Sequence, residues 1–515
     1  MICLVGFMGS GKSTALSELR AKGLRTADAD RLIEAESGRR IPEIFEKVGE
    51  AGFREIEERV VATVLADPDI DVLALGGGAV TSPVLREALT SPDHTVVWLE
   101  IDEGAAWRRV RHSDRPLARD EAAFRRLFAE RQPLYESVAE AILPAVAIRI
   151  WDRALEPVRL LDRLPAGARM LWAASSNGDY PVYVGRDLLG STLFSGGGAI
   201  MPGDGRSFGF TDDSVGPLYA QELRGLESTI SVPPGETAKT MSQAEDSLRQ
   251  IARLGATRSD RLIAVGGGVV GDLAGFCAAT YQRGIPYVQV PTTLVAQVDS
   301  AYGGKTGVDL PEGKNYVGAF HLPSAVVTDV NTLKTLPEGE INAGLAEVVK
   351  TALLAGGDLW ERVEALQPGE ITSRADLVFA CARYKCGVVA ADERDHGLRA
   401  ALNLGHTVGH AIEAVTGYGR YRHGEAVALG LLAALRLSGA DDLRETVSGW
   451  SRRHGLPVSL EPGIDPDEVL RAVQFDKKRT SKGVGFVLLK RPGEPRTDCL
   501  VEAARVRAAV EELNA

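Results

Sequence analysis

The N-terminal region contains the stretch Gly6-Phe7-Met8-Gly9-Ser10-Gly11-Lys12-Ser13, which fits the P-loop pattern GxxxxGK[ST]. It follows an apolar run at residues 2–6 and opens a helical pattern at residues 13–22. Glycines in such a loop let backbone N–H groups surround phosphate oxygens, while the lysine supplies positive charge and the serine hydroxyl can ligate Mg²⁺. The stretch therefore predicts an ATP site formed by Gly9, Ser10, Gly11, Lys12, Ser13 and Thr14.

Outward from this loop, the first part of the chain alternates between short apolar runs and helical periodicity. The runs at residues 2–6, 72–75 and 96–101 predict buried strands, and helical spacing occurs at residues 13–22, 53–65 and 121–141. This alternation is typical of a parallel sheet covered by helices. The N-terminal region is therefore predicted to be an α/β P-loop domain with a parallel sheet.

A polar stretch at residues 162–169 contains Pro165 and Gly167 and predicts a linker. Strand-like runs resume at residues 207–210, 262–265, 288–290 and 326–328, whereas the pattern beyond Asn331 is mostly helical. We therefore predict one domain over residues 1–165 and a second over residues 166–515. The second is expected to combine a Rossmann-like α/β part, at about residues 170–330, with a mostly α-helical metal-binding part over residues 331–515.

Composition limits the partners of the chain. A formal net charge of −11 over 515 residues argues against binding to nucleic acid or to an anionic membrane, because both attract basic surfaces. The five cysteines form no CxxC pair, which favours a reducing compartment. The N-terminus runs directly into a strand pattern, and no apolar run approaches the roughly 18 residues of a membrane span. We expect a cytoplasmic protein with small-molecule substrates and neither nucleic acid nor a membrane as partner.

More motifs follow the P-loop in a definite order. They are Asp28-Ala29-Asp30 after a strand end, Gly49 to Arg54 at the start of a helix, Leu75-Gly76-Gly77-Gly78 after another strand, Arg115 in a lid-like stretch, and Arg131. Together with the P-loop, this ordered set resembles shikimate kinase over about residues 1–160.

The resemblance implies roles for these residues. Asp30 would hydrogen-bond the shikimate hydroxyls and orient the attacking one, while Arg54 and Arg131 would pair with the shikimate carboxylate. Asp28 would help Ser13 to hold Mg²⁺. Lys12 and the lid residue Arg115 would stabilise the ATP phosphates. The backbone would approach shikimate closely at Gly76, Gly77 and Gly78.

Three of the eight histidines lie within eighteen positions of the C-terminal region. His406 and His410 are four residues apart in a helical pattern and so share a helix face, and His423 follows a short polar loop. An acidic helix that contains Glu347 and Lys350 lies upstream. Two histidines and a carboxylate would suit catalytic zinc, which keeps one coordination position open.

A nucleotide site is indicated by a second glycine-rich turn. Gly266 to Asp272 follows a strand pattern and satisfies GxGxxG, and Asp212 lies at the end of an earlier strand, where an acid can bind a ribose hydroxyl. Near these motifs lie many cations, which suggest a phosphorylated and carboxylated substrate: Arg283, Lys305, Lys314, Lys350, Lys385, Arg399, Lys477 and Lys478.

These ordered motifs are similar to 3-dehydroquinate synthase across about residues 170–515. The densest matches are Asp299 to Lys305, Gly313-Lys314-Asn315, Gly344 to Lys350, and Asp392 through His410. The resemblance implies that the substrate is 3-deoxy-D-arabino-heptulosonate 7-phosphate, that Zn²⁺ or Co²⁺ is the metal, and that NAD is regenerated in each turnover.

The resemblance also implies three groups of site residues. Metal would be held by Glu347, His406 and His423. Substrate would be bound by Arg283, Asp299, Lys305, Lys314, Asn315, Lys350, Lys385, Arg399, Asn403, His410 and Lys477, with Lys305, Lys350 and His410 as catalytic residues and Lys477 preferred to Lys478. NAD would be bound by Asp212, Gly235, Glu236, Lys239, Gly267, Gly268, Val269, Val270, Gly271, Asp272, Thr292, Thr293, Lys305, Lys314, Thr332, Leu333 and Thr335.

The chain is therefore expected to join an ATP-dependent shikimate kinase to a 3-dehydroquinate synthase, with a homodimer through the synthase domain as a possible assembly. Two enzymatic alternatives remain: a P-loop small-molecule kinase fused to another sugar phosphate cyclase, or to a polyol dehydrogenase. A cyclase whose substrate lacks a carboxylate would leave Arg399 without a role. A nonenzymatic nucleotide sensor is disfavoured by Lys12, Asp30 and the metal-ligand set.

Overall fold

The computed structural model describes residues 1–113, 120–145, 150–194, 200, 204–219, 221–394, 397–474, 479–480 and 483–514. The chain divides into two compact units, Met1–Trp172 and Ala173–Ala515. Two predicted site residues, Arg115 and Lys477, lie outside the described residues, as does Lys478.

The first unit alternates strands and helices, as the sequence predicts. Its elements are β1 (Ile2–Val5), α1 (Lys12–Ala21), β2 (Thr26–Asp28), α2 (Ala29–Ser37), α3 (Ile41–Leu65), β3 (Val72–Ala74), α4 (Pro83–Leu89), β4 (Thr95–Glu100), α5 (Glu103–Val110), α6 (Glu121–Val138), β5 (Ala141–Pro144), α7 (Trp151–Leu160) and β6 (Arg169–Ser175), which ends beyond Trp172.

The sheet of this unit has the order β2-β3-β1-β4-β5-β6 with parallel neighbours. β1 pairs with β3 from Ile2 opposite Val72 to Leu4 opposite Ala74. The loops after these two strands therefore leave the same edge of the sheet, side by side. This register brings the P-loop next to Gly76, Gly77 and Gly78, because the carboxyl ends of parallel strands open onto a common crevice.

The second unit begins with α/β elements. They are β7 (Gly178–Gly185), β8 (Ser207–Asp212), α8 (Gly216–Tyr219), β9 (Leu226–Val232), α9 (Met241–Arg253), β10 (Arg261–Gly266), α10 (Gly268–Thr280), β11 (Tyr287–Pro291), β12 (Lys305–Leu310), β13 (Gly313–Phe320) and β14 (Ala325–Asp329). The parallel sheet has the order β7-β14-β11-β10-β8-β9, and β12 and β13 form a separate antiparallel pair. All four predicted strands of this part fall within β8, β10, β11 and β14.

The glycines that open α10 allow that helix to lie close to neighbouring strands. A Cβ atom on Gly271 would come within 2.5 Å of the Gln289 side chain on β11, and one on Gly275 would clash with Thr306 on β12. Beneath them, apolar side chains such as Phe208, Leu273 and Tyr287 form one buried cluster. The helix N-terminus is thereby fixed directly beyond the end of β10.

The remainder is mostly helical: α11 (Glu338–Ala355), α12 (Gly357–Glu364), α13 (Ala375–Ala391), α14 (His406–Val415), α15 (His423–Leu437), α16 (Asp441–Arg453), α17 (Pro466–Gln474) and α18 (Ala503–Glu511). A small antiparallel sheet between α17 and α18 was not predicted from the sequence. It consists of β15 (Arg479–Thr480), β16 (Gly483–Leu489) and β17 (Pro495–Leu500).

Three helices of this part approach one another closely at glycines. A Cβ on Gly430 of α15 would clash with the carbonyl oxygen of Gly405, which precedes α14, and one on Gly424 would clash with that of Ala343 on α11. Such contacts leave no room for a side chain. They bring the start of α14 against the middle of α15, and the start of α15 against α11 four residues before Glu347.

Cysteines contribute to the cores of both units rather than to cross-links. All five are free thiols, and only Cys499 is not buried. Burial raises the pKa of the Cys3, Cys277, Cys381 and Cys386 thiols to about 12. Among the described residues, no helix is long and apolar enough to cross a membrane.

Candidate active sites

The P-loop of the first unit is built as the sequence predicts. Gly11 adopts a left-handed conformation, with φ of 87°, and α1 starts at Lys12. The Nζ atom of Lys12 donates to the carbonyl oxygen of Gly6 at 2.6 Å and to that of Phe7 at 3.3 Å. Arg109 donates from Nη1 to the carbonyl oxygen of Gly9 at 2.9 Å. Lys12 and Arg109 therefore both lie at the loop that would hold the phosphates.

A cavity of about 450 Å³ lies over this loop. Its walls include most of the predicted ATP-site residues and both predicted aspartates: Gly9, Ser10, Gly11, Lys12, Ser13, Thr14, Asp28 and Asp30, together with Gly77, Arg109 and Trp151. The Ser13 hydroxyl donates to Asp28 Oδ2 at 3.4 Å, and Asp28 Oδ1 accepts from the Asp30 amide at 3.1 Å. Ser13 and Asp28 are therefore close enough to share one cation.

The predicted acceptor side of this site contains two arginines with different partners. Arg54 forms ion pairs with Glu57 and, at 3.1 Å, with Glu50. Arg131 is buried; it donates to the carbonyl oxygen of Gly77 at 3.0 Å, and burial lowers its pKa. A Cβ on Gly78 would clash with the Arg54 guanidinium. A side chain at residue 78 would therefore displace the Arg54 guanidinium.

Glu57 belongs to this site although the sequence analysis did not select it. It is fully buried, and burial raises its pKa against the opposing effect of Arg54. A Cβ on Gly76 would lie 2.5 Å from Glu57 Oε1 and 3.0 Å from Asp30 Oδ1, so the two carboxylates face the same small space. The signal in the sequence was the spacing of three between Arg54 and Glu57, which places both on one face of α3.

In the second unit, Glu347, His406 and His423 converge from α11, α14 and α15. Glu347 Oε1 lies 3.5 Å from His406 Nε2 and 3.5 Å from His423 Nε2. The ligand atoms all lie within 4.8 Å of one another. Glu347 is buried, and its Oε1 accepts no hydrogen bond from any described residue. A buried carboxylate oxygen that faces two imidazole nitrogens fits a divalent metal.

The opposite nitrogens of both rings face oxygen atoms. His406 Nδ1 lies 3.2 Å from the carbonyl oxygen of Leu404, and His423 Nδ1 lies 3.2 Å from Glu413 Oε2. This is the arrangement that orients metal-binding histidines in proteins. Burial lowers the pKa of His406 well below its usual range, whereas the carboxylates of Glu347 and Glu413 outweigh burial and raise that of His423 to about 10.

His410 occupies a different position from the other two histidines. It is exposed, and its ring centroid lies 5.3 Å from that of His406 and 5.9 Å from that of His423. His410, Glu413 and His423 form a second set of close donor atoms. Both oxygens of Glu413 are engaged, with Lys314 at 3.3 Å and with His423 at 3.2 Å, whereas Glu347 contacts Lys350 through Oε2 and directs Oε1 at the Nε2 atoms of both histidines. The set around Glu347 is therefore the better metal site.

Cations surround this centre on the side of α13. Lys385 donates to Asp299 Oδ1 at 2.7 Å, and Lys350 forms ion pairs with Glu347 and, at 3.7 Å, with Asp299. Asp299 lies in a π-helical turn, Ala296–Ser300. Burial opposes its ionisation, but Lys385 and Lys350 lower its pKa. Both lysines are buried, and a buried charge is costly unless it has a negative partner. Asp299 and Glu347 are those partners.

Other predicted substrate residues lie on several elements. Arg399 is buried and donates from Nη1 to the carbonyl oxygen of Glu393 at 2.5 Å, and Asn403 donates to that of Ala400 at 3.1 Å. Lys305 is exposed at the start of β12. Arg283 is exposed in a turn where its φ is 70°, a left-handed conformation.

The predicted nucleotide residues lie around the N-terminus of α10. Lys239 is buried and donates to Asp272 Oδ2 and Asn315 Oδ1, both at 2.6 Å. Asp212 Oδ1 accepts from the amides of Ser214 and Val215, at 2.8 and 2.9 Å, and so closes the turn after β8. The helix N-terminus suits a dinucleotide phosphate, and the Asp212 carboxylate suits a ribose hydroxyl.

The loops after β11 and β14 provide the rest of the predicted nucleotide residues. Thr292 is buried, and its hydroxyl has no hydrogen bond among the described residues. Thr293 Oγ1 accepts from the Ala296 amide at 3.3 Å. Thr332 is buried and bonded to Gln297 Nε2 at 2.9 Å, and Leu333 is also buried. Thr335 bonds to the hydroxyl of Tyr219.

Comparisons with known proteins cover both units. A family model described as "Shikimate kinase" matches residues 8–147. Models described as "3-dehydroquinate synthase N-terminal" and "3-dehydroquinate synthase C-terminal" match residues 229–343 and 344–479. The 3-dehydroquinate synthase of Symbiobacterium thermophilum is 44% identical over 357 residues, which cover 65% of this chain and 98% of that protein.

Two solved structures are similar to the C-terminal part. A 2-deoxy-scyllo-inosose synthase complexed with carbaglucose-6-phosphate, NAD⁺ and Co²⁺ aligns with a TM-score of 0.60 and 25% identity, covering 67% of this chain and 99% of that one. A 2-epi-5-epi-valiolone synthase from Streptomyces hygroscopicus subsp. jinggangensis, with NAD⁺ and Zn²⁺ bound, aligns with a TM-score of 0.58 and 26% identity, covering 65% and 96%.

Proposed function

Since the chain belongs to the 3-dehydroquinate synthase family and carries a shikimate kinase domain in its first unit, we propose specific roles for the residues of its two sites. The protein is a bifunctional enzyme of the shikimate pathway, with phosphotransferase and carbon–oxygen lyase activities. The first unit forms shikimate 3-phosphate from ATP and shikimate. The second converts 3-deoxy-D-arabino-heptulosonate 7-phosphate into 3-dehydroquinate and phosphate, with NAD and Zn²⁺ or Co²⁺ as cofactors.

In the kinase site, we infer that Lys12 leaves the carbonyl oxygens of Gly6 and Phe7 and binds the ATP phosphates. The amides of the P-loop would hold the same phosphates at the start of α1. Mg²⁺ supplies charge compensation for the transferring phosphoryl group when it is bound, and Ser13 and Asp28 are the residues placed to hold it. Positioning and charge are the main contributions that a protein makes to this reaction.

The acceptor shikimate would lie between Asp30 and the two arginines. Its carboxylate would replace Glu50 or Glu57 as partner of Arg54, and Arg131 would contribute a second positive charge. Asp30, which shares a small space with Glu57, would accept a hydrogen bond from the attacking hydroxyl. A bidentate contact between an arginine and a carboxylate fixes orientation as well as distance.

In the synthase site, Glu347, His406 and His423 would hold the metal. A metal held there would supply polarisation of substrate oxygen atoms, and bound NAD would supply reversible hydride transfer. Arg399 would pair with the substrate carboxylate, and Lys350 and Lys385 would compensate negative charge on the substrate while Asp299 keeps both lysines in place. The substrate would thereby be held rigidly through several successive steps.

The observation that supports this assignment best is the convergence of Glu347, His406 and His423 beside Lys350. The test is to give the purified chain the heptulosonate phosphate, NAD⁺ and Zn²⁺, and in separate reactions shikimate with Mg-ATP. We expect phosphate release in the first reaction and ADP formation in the second. Phosphate release that persists after removal of metal and NAD would contradict the proposed roles.

Substrate choice separates this proposal from the alternatives. Another sugar phosphate cyclase would accept a substrate without a carboxylate at least as well, and Arg399 would then be dispensable. A polyol dehydrogenase would accumulate NADH instead of regenerating NAD⁺. We expect neither, because the buried guanidinium of Arg399 is suited to bind a substrate carboxylate.

Two further properties remain predictions. A homodimer formed through the synthase unit can be tested by light scattering of the purified chain. A cytoplasmic location is supported by the five free thiols and can be tested by fractionation of cells that produce the chain.

A further inference from the structure

Glu413 is a buried carboxylate that lies beside the three proposed metal ligands and is not one of them. It lies on α14 seven residues after His406 and three after His410, which places all three on one face of that helix. Its side chain is 4% exposed. Each oxygen contacts a different functional group: Oε2 lies 3.2 Å from His423 Nδ1, and Oε1 lies 3.3 Å from Lys314 Nζ.

The two partners of Glu413 lie on different elements. His423 begins α15, and its Nε2 atom faces Glu347. Lys314 lies on β13, where its Nζ is also 3.6 Å from Glu236 Oε1 and 4.8 Å from the centre of the Tyr418 ring. Glu236 is among the predicted nucleotide residues. Through its two oxygens, Glu413 therefore connects the metal site with the strand that faces the nucleotide site.

We propose that Glu413 is a positioning residue of the synthase site, which orients the metal ligand His423 through Oε2 and holds Lys314 through Oε1. A neutral imidazole that donates from Nδ1 to a carboxylate presents the lone pair of Nε2 to a metal. Without that acceptor, the ring of His423 could rotate or take the other tautomer. The inference rests on the proposed metal site, but it concerns a residue that does not touch the metal.

A purely structural role explains the position of Glu413 less well. A buried carboxylate is costly unless charged or hydrogen-bonding groups compensate it. Within the described part of the chain, the side-chain partners of Glu413 are His423 and Lys314, and both belong to the site.

The first test compares zinc affinity in the full chain by competition with a chromophoric chelator. We expect Glu413→Ala to weaken zinc binding about 10- to 100-fold, the range found when such outer residues are removed. Glu413→Gln keeps an oxygen that can accept from His423 and should weaken it less. Thr416→Ala is the matched control, because its hydroxyl donates to backbone carbonyls of the same helix, and zinc affinity should stay within about threefold of the parent.

A second measurement separates orientation of His423 from general damage. The visible absorption spectrum of the cobalt-loaded protein should change in Glu413→Ala, while the unfolding temperature of the metal-free protein stays close to that of Thr416→Ala. Lys314→Met should keep the parent's zinc affinity and raise KM for the heptulosonate phosphate. A Lys314→Met variant that loses zinc as strongly as Glu413→Ala would overturn the separate roles of the two oxygens.

The outcomes also separate this inference from the proposed function. If the parent chain binds no zinc, the metal site itself is wrong and the inference falls with it. If the parent binds zinc and both Glu413 variants bind it within threefold of the parent, only the role of Glu413 is overturned. If Glu413→Ala does not fold, the zinc affinity and the cobalt spectrum are measured on Glu413→Gln instead, and these provide the test. Binding of two zinc ions per chain would overturn it in favour of a second site at His410, Glu413 and His423.

Discussion

Glu347 Oε1 and His406 Nε2 lie 3.5 Å apart where α11 meets α14, while His410, one helical turn further on, is exposed. We expect His406→Ala to remove tight metal binding and synthase activity together. His410→Ala should keep stoichiometric zinc and turn over slowly. Metal content after dialysis, measured alongside phosphate release, distinguishes the two. If the His410 variant loses zinc while the His406 variant keeps it, the ligand set is inverted.

Lys12→Ala should abolish kinase activity and leave the synthase intact. The variant loses the positive charge at the transferring phosphate, and electrostatic groups of this kind contribute about 3–4 kcal/mol to the transition state, or about 10²- to 10³-fold in kcat. ADP formation and phosphate release from the heptulosonate phosphate should be measured on one preparation. Equal loss of both activities would contradict the assignment of the two sites.

The first unit should fold and phosphorylate shikimate as a separate fragment. A fragment that ends at residue 165 lacks β6, which pairs with β5 through Met170 opposite Ala141 and Leu171 opposite Ile142. We therefore expect a fragment of residues 1–172 to unfold at a higher temperature than one of residues 1–165. A 1–172 fragment without kinase activity, compared with active intact protein, would show that the unit depends on the rest of the chain.

Asp329→Asn should destabilise the synthase unit by about 2–3 kcal/mol. The Asp329 carboxylate accepts from the amides of Asp187 and Asn331 at Oδ1 and from those of Leu188 and Leu189 at Oδ2. An amide NH₂ at either position would face two N–H donors. Urea unfolding measures the loss, and Asp358→Asn, which removes an exposed ion pair with Arg362, should cost less than about 0.5 kcal/mol.

NAD affinity should also fall in Asp329→Asn, because the turn that it caps, Val330–Thr335, contains three predicted nucleotide residues. Isothermal titration with NAD⁺ gives that comparison. Unchanged stability in Asp329→Asn would mean that the four hydrogen bonds are replaced at no cost.

His454 should make stability depend on pH in the range that is easily measured. Burial lowers its pKa below the usual 6.5. The unfolded chain therefore binds a proton more readily, so this contribution is complete above about pH 7 and is lost as the pH falls through 6.5. Between pH 7.5 and 5.5, the parent should lose up to about 1.4 kcal/mol more than His454→Gln. Equal losses would show that His454 titrates alike in both states.

Local patterns predicted the first unit well. The P-loop, the strand at residues 72–75 and the helix at residues 13–22 all rest on neighbouring residues, and the structure contains them as β3, α1 and the loop between β1 and α1. The helix expected at residues 53–65 lies within α3, which Gly49 interrupts with a non-helical backbone whose φ is 72°. This element therefore consists of two helical segments that meet at Gly49, and the second segment contains the expected helix.

Features that depend on distant residues were not predictable from local patterns. Glu57 and Glu413 look like ordinary helical acids until packing buries them beside Arg54 and His423. β15, β16 and β17 escaped notice because short antiparallel strands near a chain end leave a weak periodic signal. The metal ligands could be predicted from the family resemblance. The residues that orient them could be identified only from the packing of the three helices.

Because one thiol is accessible and the other four are buried, the protein can be labelled chemically at a single cysteine. Maleimide reagents attack thiolates, and thiols with a pKa near 12 that are shielded from solvent react very slowly. Cys499, on β17, should therefore take up a single fluorophore in the native protein without any engineered substitution. A second dye introduced in the first unit would then make an energy-transfer pair, which could follow distance changes while either substrate is added.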